Sequence, residues 1–213
     1  YRFKEIPGTI PGEYQVADGD NAAPDVLPEI REWKGNAGTF TPSEGSRIVI
    51  QDASLQETAD AFAKDYEAIM GQTLPVVTES SANAGDFFFA LTEEGKGLQE
   101  EGYRMTVDEK VAVEAETTTG AFWATRTILQ SLKAVGNIPQ GVARDYPLYK
   151  VRGFILDVGR KTFTMDWLED TVKQMSWYKM NDFQIHLNDN LIPLEHYSQI
   201  GEDPMQAYSA FRL

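Results

Sequence analysis

A small set of polar residues stands at the ends of two apolar runs, and chemistry is sought there first. Asp157 and Arg160 lie at and just past the run Val151 to Val158 (VRGFILDV), while His186 and then Asn188, Asn190 and Asp189 stand at and past Asp182 to Leu187 (DFQIHL). In parallel barrels the polar groups at the C-terminal ends of strands build the active site. Each residue also has a plain structural role open to it. Asp157 can orient a loop, Arg160 can form a surface ion pair, Asn-Asp-Asn is good turn chemistry, and His186 suits a hydrogen-bonded core position.

The elements that must position these groups are readable from pattern. VRGFILDV has the continuous apolar character of a strand buried on both faces. Asp166 to Met180 places Leu168, Val172 and Met175 on one side of a helix. Thr164 suits its N-cap, and Asp166 and Glu169 suit the positive end of its dipole. DFQIHL then reads as a second strand, and strand, helix, strand is the unit of a parallel sheet or barrel. Tyr149 to Leu213 holds only 65 residues, whereas a closed (β/α)8 barrel needs about 250. The expectation is the start of a barrel, incomplete over residues 149–213.

Residues 27–148 have another texture. Short β-rich runs (RIVI, PVVT, DFFFALT, YRMTV and VAVEAE) are separated by turn-forming residues, the last two by Asp108, Glu109 and Lys110 as a hairpin connection. Ser54 and Glu57 have the spacing of a capping box ahead of a helix carrying Leu55, Ala59, Phe62, Tyr66 and Ile69, which Gly71 stops. A second helix over about Thr119 to Leu132 aligns Ala121, Ala124, Ile128, Leu129 and Leu132. The fold class expected is an α+β small domain, a mostly antiparallel sheet with two helices on one face, followed by the first strands of a truncated (β/α)8 barrel. Residues 1–26 read as an N-terminal arm, and the boundary between domains falls near Tyr149.

Composition narrows the partners. Against 33 acidic residues stand 19 basic ones, a net charge of −14 without a Lys/Arg-rich run, so no nucleic acid is expected. No apolar stretch reaches the roughly 18–20 residues of a membrane span, so no membrane insertion is expected. Without cysteine, and with two histidines, neither a metal site nor any cofactor is expected. A chain that opens at Tyr1 and lacks cysteine fits a secreted or cell-surface bacterial protein whose leader has been removed.

Several ordered motifs across both parts carry a resemblance. RGFILDVGRKTF (152–163), YKMN (178–181) and FQIHLND (183–189) look like the barrel opening of glycoside hydrolase family 20, which comprises β-N-acetylhexosaminidases and lacto-N-biosidases. EGYRMTV (101–107), GAFWATRTILQSL (120–132) and IPQGVARDYP (138–147) are similar to the small α/β domain that precedes that barrel. The resemblance implies that Arg160 binds the 3- and 4-hydroxyls of a terminal N-acetylhexosamine, a task that suits a rigid, permanently charged fork of donors. It implies that Asp189, with Asn190 beside it in the substrate-binding loop, supports the catalytic network, and that His186 is the histidine of the same element. It also implies substrate-assisted retaining hydrolysis, in which the sugar's 2-acetamido oxygen attacks while an Asp-Glu pair orients it and moves the proton.

That pair is not matched here. Glu202 and Asp203 stand in reverse order in a Gly/Pro-flanked segment, so the 213 residues alone are expected to be inactive and to need the remainder of the parent polypeptide. Asp189-Asn190 followed by LIPLEHY departs from the family's commoner Asp-Asp-Gln-Gly-Trp-Arg. With AFRL (210–213) it is similar to the bacterial branch that includes lacto-N-biosidases. The partner implied is an oligosaccharide or glycan. Trp123, Trp167, Trp177 and Tyr178 read as packing residues. Two alternatives stay open: a non-catalytic carbohydrate-binding or interaction module, and a related barrel glycosidase such as an O-linked N-acetylglucosamine hydrolase.

Overall fold

Tyr103, Met105 and Val107 are buried and alternate with half-exposed Arg104 and Thr106, and Val111, Val113 and Ala115 do the same on the next run. Period-two burial of this kind produces a sheet with one covered face. The computed structural model describes residues 21–93, 97–159 and 163–187. The chain divides into two compact units, Tyr1–Lys150 and Val151–Leu213.

The first unit is built on seven strands: β1 (Glu32–Phe40), β2 (Ile48–Ile50), β3 (Val76–Thr78), β4 (Phe87–Leu91), β5 (Tyr103–Val107), β6 (Val111–Ala115) and β7 (Ile138–Asp145). Their order in the sheet is β1-β7-β5-β6-β4-β2-β3. Pairs β1/β7, β7/β5 and β5/β6 are antiparallel, while β6/β4, β4/β2 and β2/β3 are parallel. The mostly antiparallel sheet expected from sequence is therefore corrected to a mixed one. The physical reason is that β2 and β3 are joined through a helix, and such a crossover returns the chain parallel.

Two helices, α1 (Gln56–Met70) and α2 (Thr118–Val135), bring apolar side chains onto this sheet. Phe62 of α1 meets Phe87 and Phe89 edge-on at 5.3 and 5.6 Å, and Tyr66 meets Phe87 at 5.8 Å. Both helices stop at glycines in the left-handed region, Gly71 at φ 70° and Gly136 at φ 76°. The capping box at Ser54 and Glu57 is not formed. Asp52 instead accepts the Ser54 backbone N–H at 2.8 Å and caps a short 3-10 turn, Ala53–Leu55, that leads into α1. Thr117 caps α2 by accepting the Gly120 N–H at 3.1 Å.

At the start of α2 the backbone itself is the packing surface. A Cβ on Gly120 would lie 2.3 Å from the Gly102 carbonyl oxygen, and one on Gly102 would lie 2.0 Å from that of Leu98. Those contacts seat the helix on the entry to β5. Tyr103 donates to Asp145 Oδ2 at 2.8 Å, and its oxygen meets Thr127 Oγ1 at 2.6 Å, so β5, β7 and α2 are tied at one buried point. Burial and the Asp145 charge push the Tyr103 phenol well above its usual range, which keeps it a proton donor. Arg126 of α2 reaches Asp65 of α1 at 2.6 Å, and Arg144 of β7 holds Glu32 of β1 at 2.7 and 2.8 Å. Trp123 is buried and donates its indole N–H to Glu101, as a packing residue should.

The second unit contains β8 (Gly153–Asp157), α3 (Met165–Trp177) and β9 (Asp182–His186), with β8 and β9 paired in parallel. Thr164 caps α3 through the Trp167 N–H at 3.2 Å, as expected. The helix ends at Trp177, three residues before Met180, because Lys179 takes φ 57° and turns the chain back. Burial on both faces of the first strand is not found among the described residues, where Ile155 is 63% exposed and Phe154 and Ile185 are also exposed. One neighbouring strand and one helix are too few to cover both faces of β8.

Candidate functional site

The paired strands of the second unit fix which side chains share a face. Cross-strand partners are Phe154 with Phe183, Ile155 with Gln184, Leu156 with Ile185, and Asp157 with His186. Phe154 and Phe183 stack with ring centroids 5.7 Å apart and planes 4° from parallel. Leu156 is buried at 9% exposure, and Met175 is the buried position of α3. Leu156 is the buried side chain of β8, and alternation puts Ile155, Asp157, Gln184 and His186 on the face opposite to it.

The lower, N-terminal ends of the strands are sewn together by backbone and amide contacts. Asn181 donates its N–H to the Arg152 carbonyl and accepts the Arg152 N–H on its own Oδ1, both at 2.9 Å, while Arg152 Nε donates to the Lys179 carbonyl at 2.7 Å. At the upper, C-terminal ends the His186 carbonyl accepts two N–H groups, from Val158 at 2.9 Å and Gly159 at 3.3 Å. The chain leaving β8 is therefore bound to the end of β9, immediately before each segment of interest.

Asp157 and His186 are brought together at that upper end as direct register partners. His186 is exposed here, at the end of a strand whose outer face has no cover among the described residues. Arg160, Asn188, Asp189 and Asn190 lie outside the described residues, as do Glu202 and Asp203. What is described is that the strands leading to Arg160 and Asp189 are hydrogen-bonded neighbours. Gln184, two residues before His186 in β9, lies on the same face as His186, a placement that strand alternation alone gives.

Trp167 is 41% exposed and packs against Phe163, ring centroids 4.3 Å apart. Asp108 and Glu109, an acidic pair in the order the chemistry needs, form the β5–β6 turn, where Lys110 N–H donates to Asp108 Oδ1 at 2.9 Å. Elsewhere in the first unit, a shallow groove of about 300 Å³ runs between the first turns of α1 and α2, lined by Glu57, Thr58, Ala61, Thr118, Thr119 and Phe122. With one carboxylate it offers no acid pair. Among the described residues no group of His, Asp or Glu could hold a metal ion, and no helix is long and apolar enough to cross a membrane.

Comparison with known proteins agrees across both units. Residues 23–146 match the family described as glycosyl hydrolase family 20, domain 2, and residues 149–202 match its catalytic domain. The chain is 29% identical to a β-hexosaminidase of Vibrio furnissii over 190 residues, 87% of this chain and 28% of that protein. It is 27% identical to a lacto-N-biosidase of Bifidobacterium bifidum over 161 residues, 74% of this chain and 14% of that one. The chain thus spans less than a third of the length of these relatives. Among solved structures, the GH20 β-N-acetylhexosaminidase from Streptomyces coelicolor superimposes with a TM-score of 0.70 at 26% identity, covering 79% of this chain and 36% of that one. Two successive family matches in the order small domain then catalytic domain, on a fold shared with that enzyme, lead to one conclusion: the chain belongs to glycosyl hydrolase family 20.

Proposed function

We propose that these residues are the leading part of a longer glycoside hydrolase that removes β-linked N-acetylhexosamine, or a disaccharide ending in it, from glycans. The observation that carries the reading is the catalytic-domain match over residues 149–202 on a parallel β8/β9 pair with polar upper ends. In this reading the pair opens a (β/α)8 barrel whose later strands cover the exposed Ile155 face. Arg160 grips two adjacent sugar hydroxyls, Asp189 supports the catalytic carboxylates, and Asn190 lines the same loop. The acetamide of the substrate supplies the nucleophile, and an Asp-Glu pair on a later strand orients it and transfers the proton.

Among the described residues of the small domain, buried hydrogen bonds such as Tyr103 to Asp145 lie inside its own core. The test is hydrolysis of an aryl N-acetyl-β-glucosaminide by the full-length polypeptide, with a thiazoline mimic of the cyclised intermediate as inhibitor. Turnover that the thiazoline blocks is the expected result. A full-length protein that leaves every such substrate intact, including lacto-N-biose glycosides, would refute the reading.

A further inference from the structure

Residues 21–27 precede the first strand and belong to no helix or strand, yet their main chain is held at both ends. At one end the Asn21 N–H donates to the Asn36 carbonyl at 3.3 Å, and the Asn21 carbonyl accepts the Trp33 indole N–H at 3.0 Å. At the other end the Leu27 N–H donates to Gln130 Oε1 and the Leu27 carbonyl accepts from Gln130 Nε2, both at 2.8 Å. A primary amide placed this way pairs with a peptide backbone much as a neighbouring strand would. The Leu27 side chain, in contrast, is 60% exposed. At this end the backbone is recognised and the side chain is not.

The β1/β7 pair is shaped to receive the first end. Gly35 and Gly141 are register partners. The Trp33 ring lies 2.5 Å from where a Gly141 Cβ would be, and a Cβ on Gly35 would stand 2.0 Å from the Asn21 carbonyl oxygen. The register then shifts between Gly35 and Thr39. Asn21 Nδ2 donates there to the carbonyls of Gly38 at 2.6 Å and Gln140 at 3.1 Å. Two glycines, an indole and a shifted ladder thus make a slot that admits main chain. Within residues 21–27, Val26 is the one buried residue, at 3% exposure. A segment held by hydrogen bonds with so little apolar burial belongs to the low-stability end of a fold, where opening is local.

We propose that residues 21–27 form a detachable strap, an internal peptide ligand clasped at one end by the Trp33–Gly35 slot and at the other by the Gln130 amide. The strap lifts as one unit while the seven-stranded sheet and its two helices stay folded. Lifting uncovers Val26 and frees the Trp33 indole N–H, and it leaves a slot fitted to an extended peptide backbone. This device goes beyond the glycosidase reading and does not depend on it.

The 213-residue chain has no cysteine, so a single introduced thiol reports without interference. Val26→Cys is labelled with a thiol reagent under native conditions and compared with Val113→Cys, in the fully buried centre of β6. Val26→Cys is expected to react at least about 100-fold faster, because local opening needs less free energy than global unfolding. Its rate should stay within about threefold between 0 and 1 M urea, whereas that of Val113→Cys should rise about tenfold or more, since only global unfolding exposes much surface. Asn21→Ala and Gln130→Ala should each speed labelling at position 26 by about tenfold, because loss of the hydrogen bonds at either clasp frees the whole strap. If Gln130→Ala does not fold, Gln130→Met keeps the length of the side chain and removes the pairing. If either cysteine variant does not fold, hydrogen exchange of the fragment around Leu27 against those of β5 and β6 makes the same comparison. Equal rates and equal urea slopes at the two positions overturn the strap. So does faster labelling from one clasp variant without the other, which would mean two separate contacts.

Discussion

Tyr66 and Tyr103 are both fully buried phenols, and their hydroxyls meet opposite fates. The Tyr103 oxygen is bonded to Asp145 and Thr127, whereas the Tyr66 hydroxyl has no partner among the described residues, and burial alone raises its pKa. Removing an unpaired hydroxyl is close to neutral, while removing one that satisfies a buried carboxylate costs about 1–3 kcal/mol. Tyr66→Phe should therefore leave the urea midpoint of residues 1–150 unchanged or higher, and Tyr103→Phe should lower it clearly. Equal effects would mean that the Tyr103 ties carry no stability.

Asp86 sets the acid response at the same scale. Burial works to raise its pKa, but the Arg47 side chain at 2.7 Å, the Asn83 N–H and the Arg47 N–H together outweigh it and lower it. A carboxylate whose folded pKa is depressed contributes stability above its unfolded value, about 3.9, and loses it as pH falls through the folded value. Asp86→Asn should thus destabilise residues 1–150 at pH 7 and converge with wild type near pH 2, as measured by thermal unfolding at both pH values. A constant difference at both would remove the linkage.

Among the elements, α1 tests where a helix begins. The acceptor of the first turn is Asp52, not Ser54. Asp52→Ala should lower the unfolding midpoint of residues 1–150, and Ser54→Ala, which keeps the backbone N–H that Asp52 accepts, should lower it less. The reverse order would restore the capping box. The sequence was misleading there because Ser-x-x-Glu and Asp-x-Ser overlap, and which oxygen caps depends on the 3-10 turn that precedes the helix.

Strands were legible where apolar residues were dense, and β5 begins and ends where YRMTV does. Neither β1 nor β7 was, since each contains residues that ordinarily mark turns. In β1, Gly35 lies where a Cβ would meet the Asn21 carbonyl oxygen at 2.0 Å, and Gly38 at φ 106° sits in an irregularity between Gly35 and Thr39. In β7, Gly141 lies beneath the Trp33 ring, 2.5 Å from where its Cβ would be, and Pro139 falls before the stretch paired with β5. These glycines serve close approach, and Pro139 is tolerated because no β5 residue pairs with it. Local sequence does not encode either circumstance. Parallel against antiparallel pairing was likewise out of reach, because it follows from which strands become neighbours.

At the scale of the molecule, the two units differ in how far their apolar residues are satisfied. Of the twelve large hydrophobic residues exposed among the described ones, nine fall within residues 151–187. The core residues of fully buried side-chain volume, such as Phe62, Phe87, Tyr103 and Leu129, all lie in the first unit. Residues 1–150 should therefore unfold cooperatively in urea by themselves, and residues 151–213 by themselves should show no cooperative transition. A sharp transition in the shorter piece would contradict its reading as part of a larger barrel.

The Asp-x-x-Arg and His-Leu-x-Asp elements could be found in the sequence because strand ends and family motifs coincide there. The shared face of Asp157, Gln184 and His186 needed the β8/β9 register. The most direct test of the central claim compares two substrates in the full-length polypeptide, an aryl N-acetyl-β-glucosaminide and the matching β-glucoside, which differ only in the acetamide. Hydrolysis of the first at least about 1,000-fold faster in kcat/KM is predicted, because the acetamide is the nucleophile. Equal rates on both would contradict it.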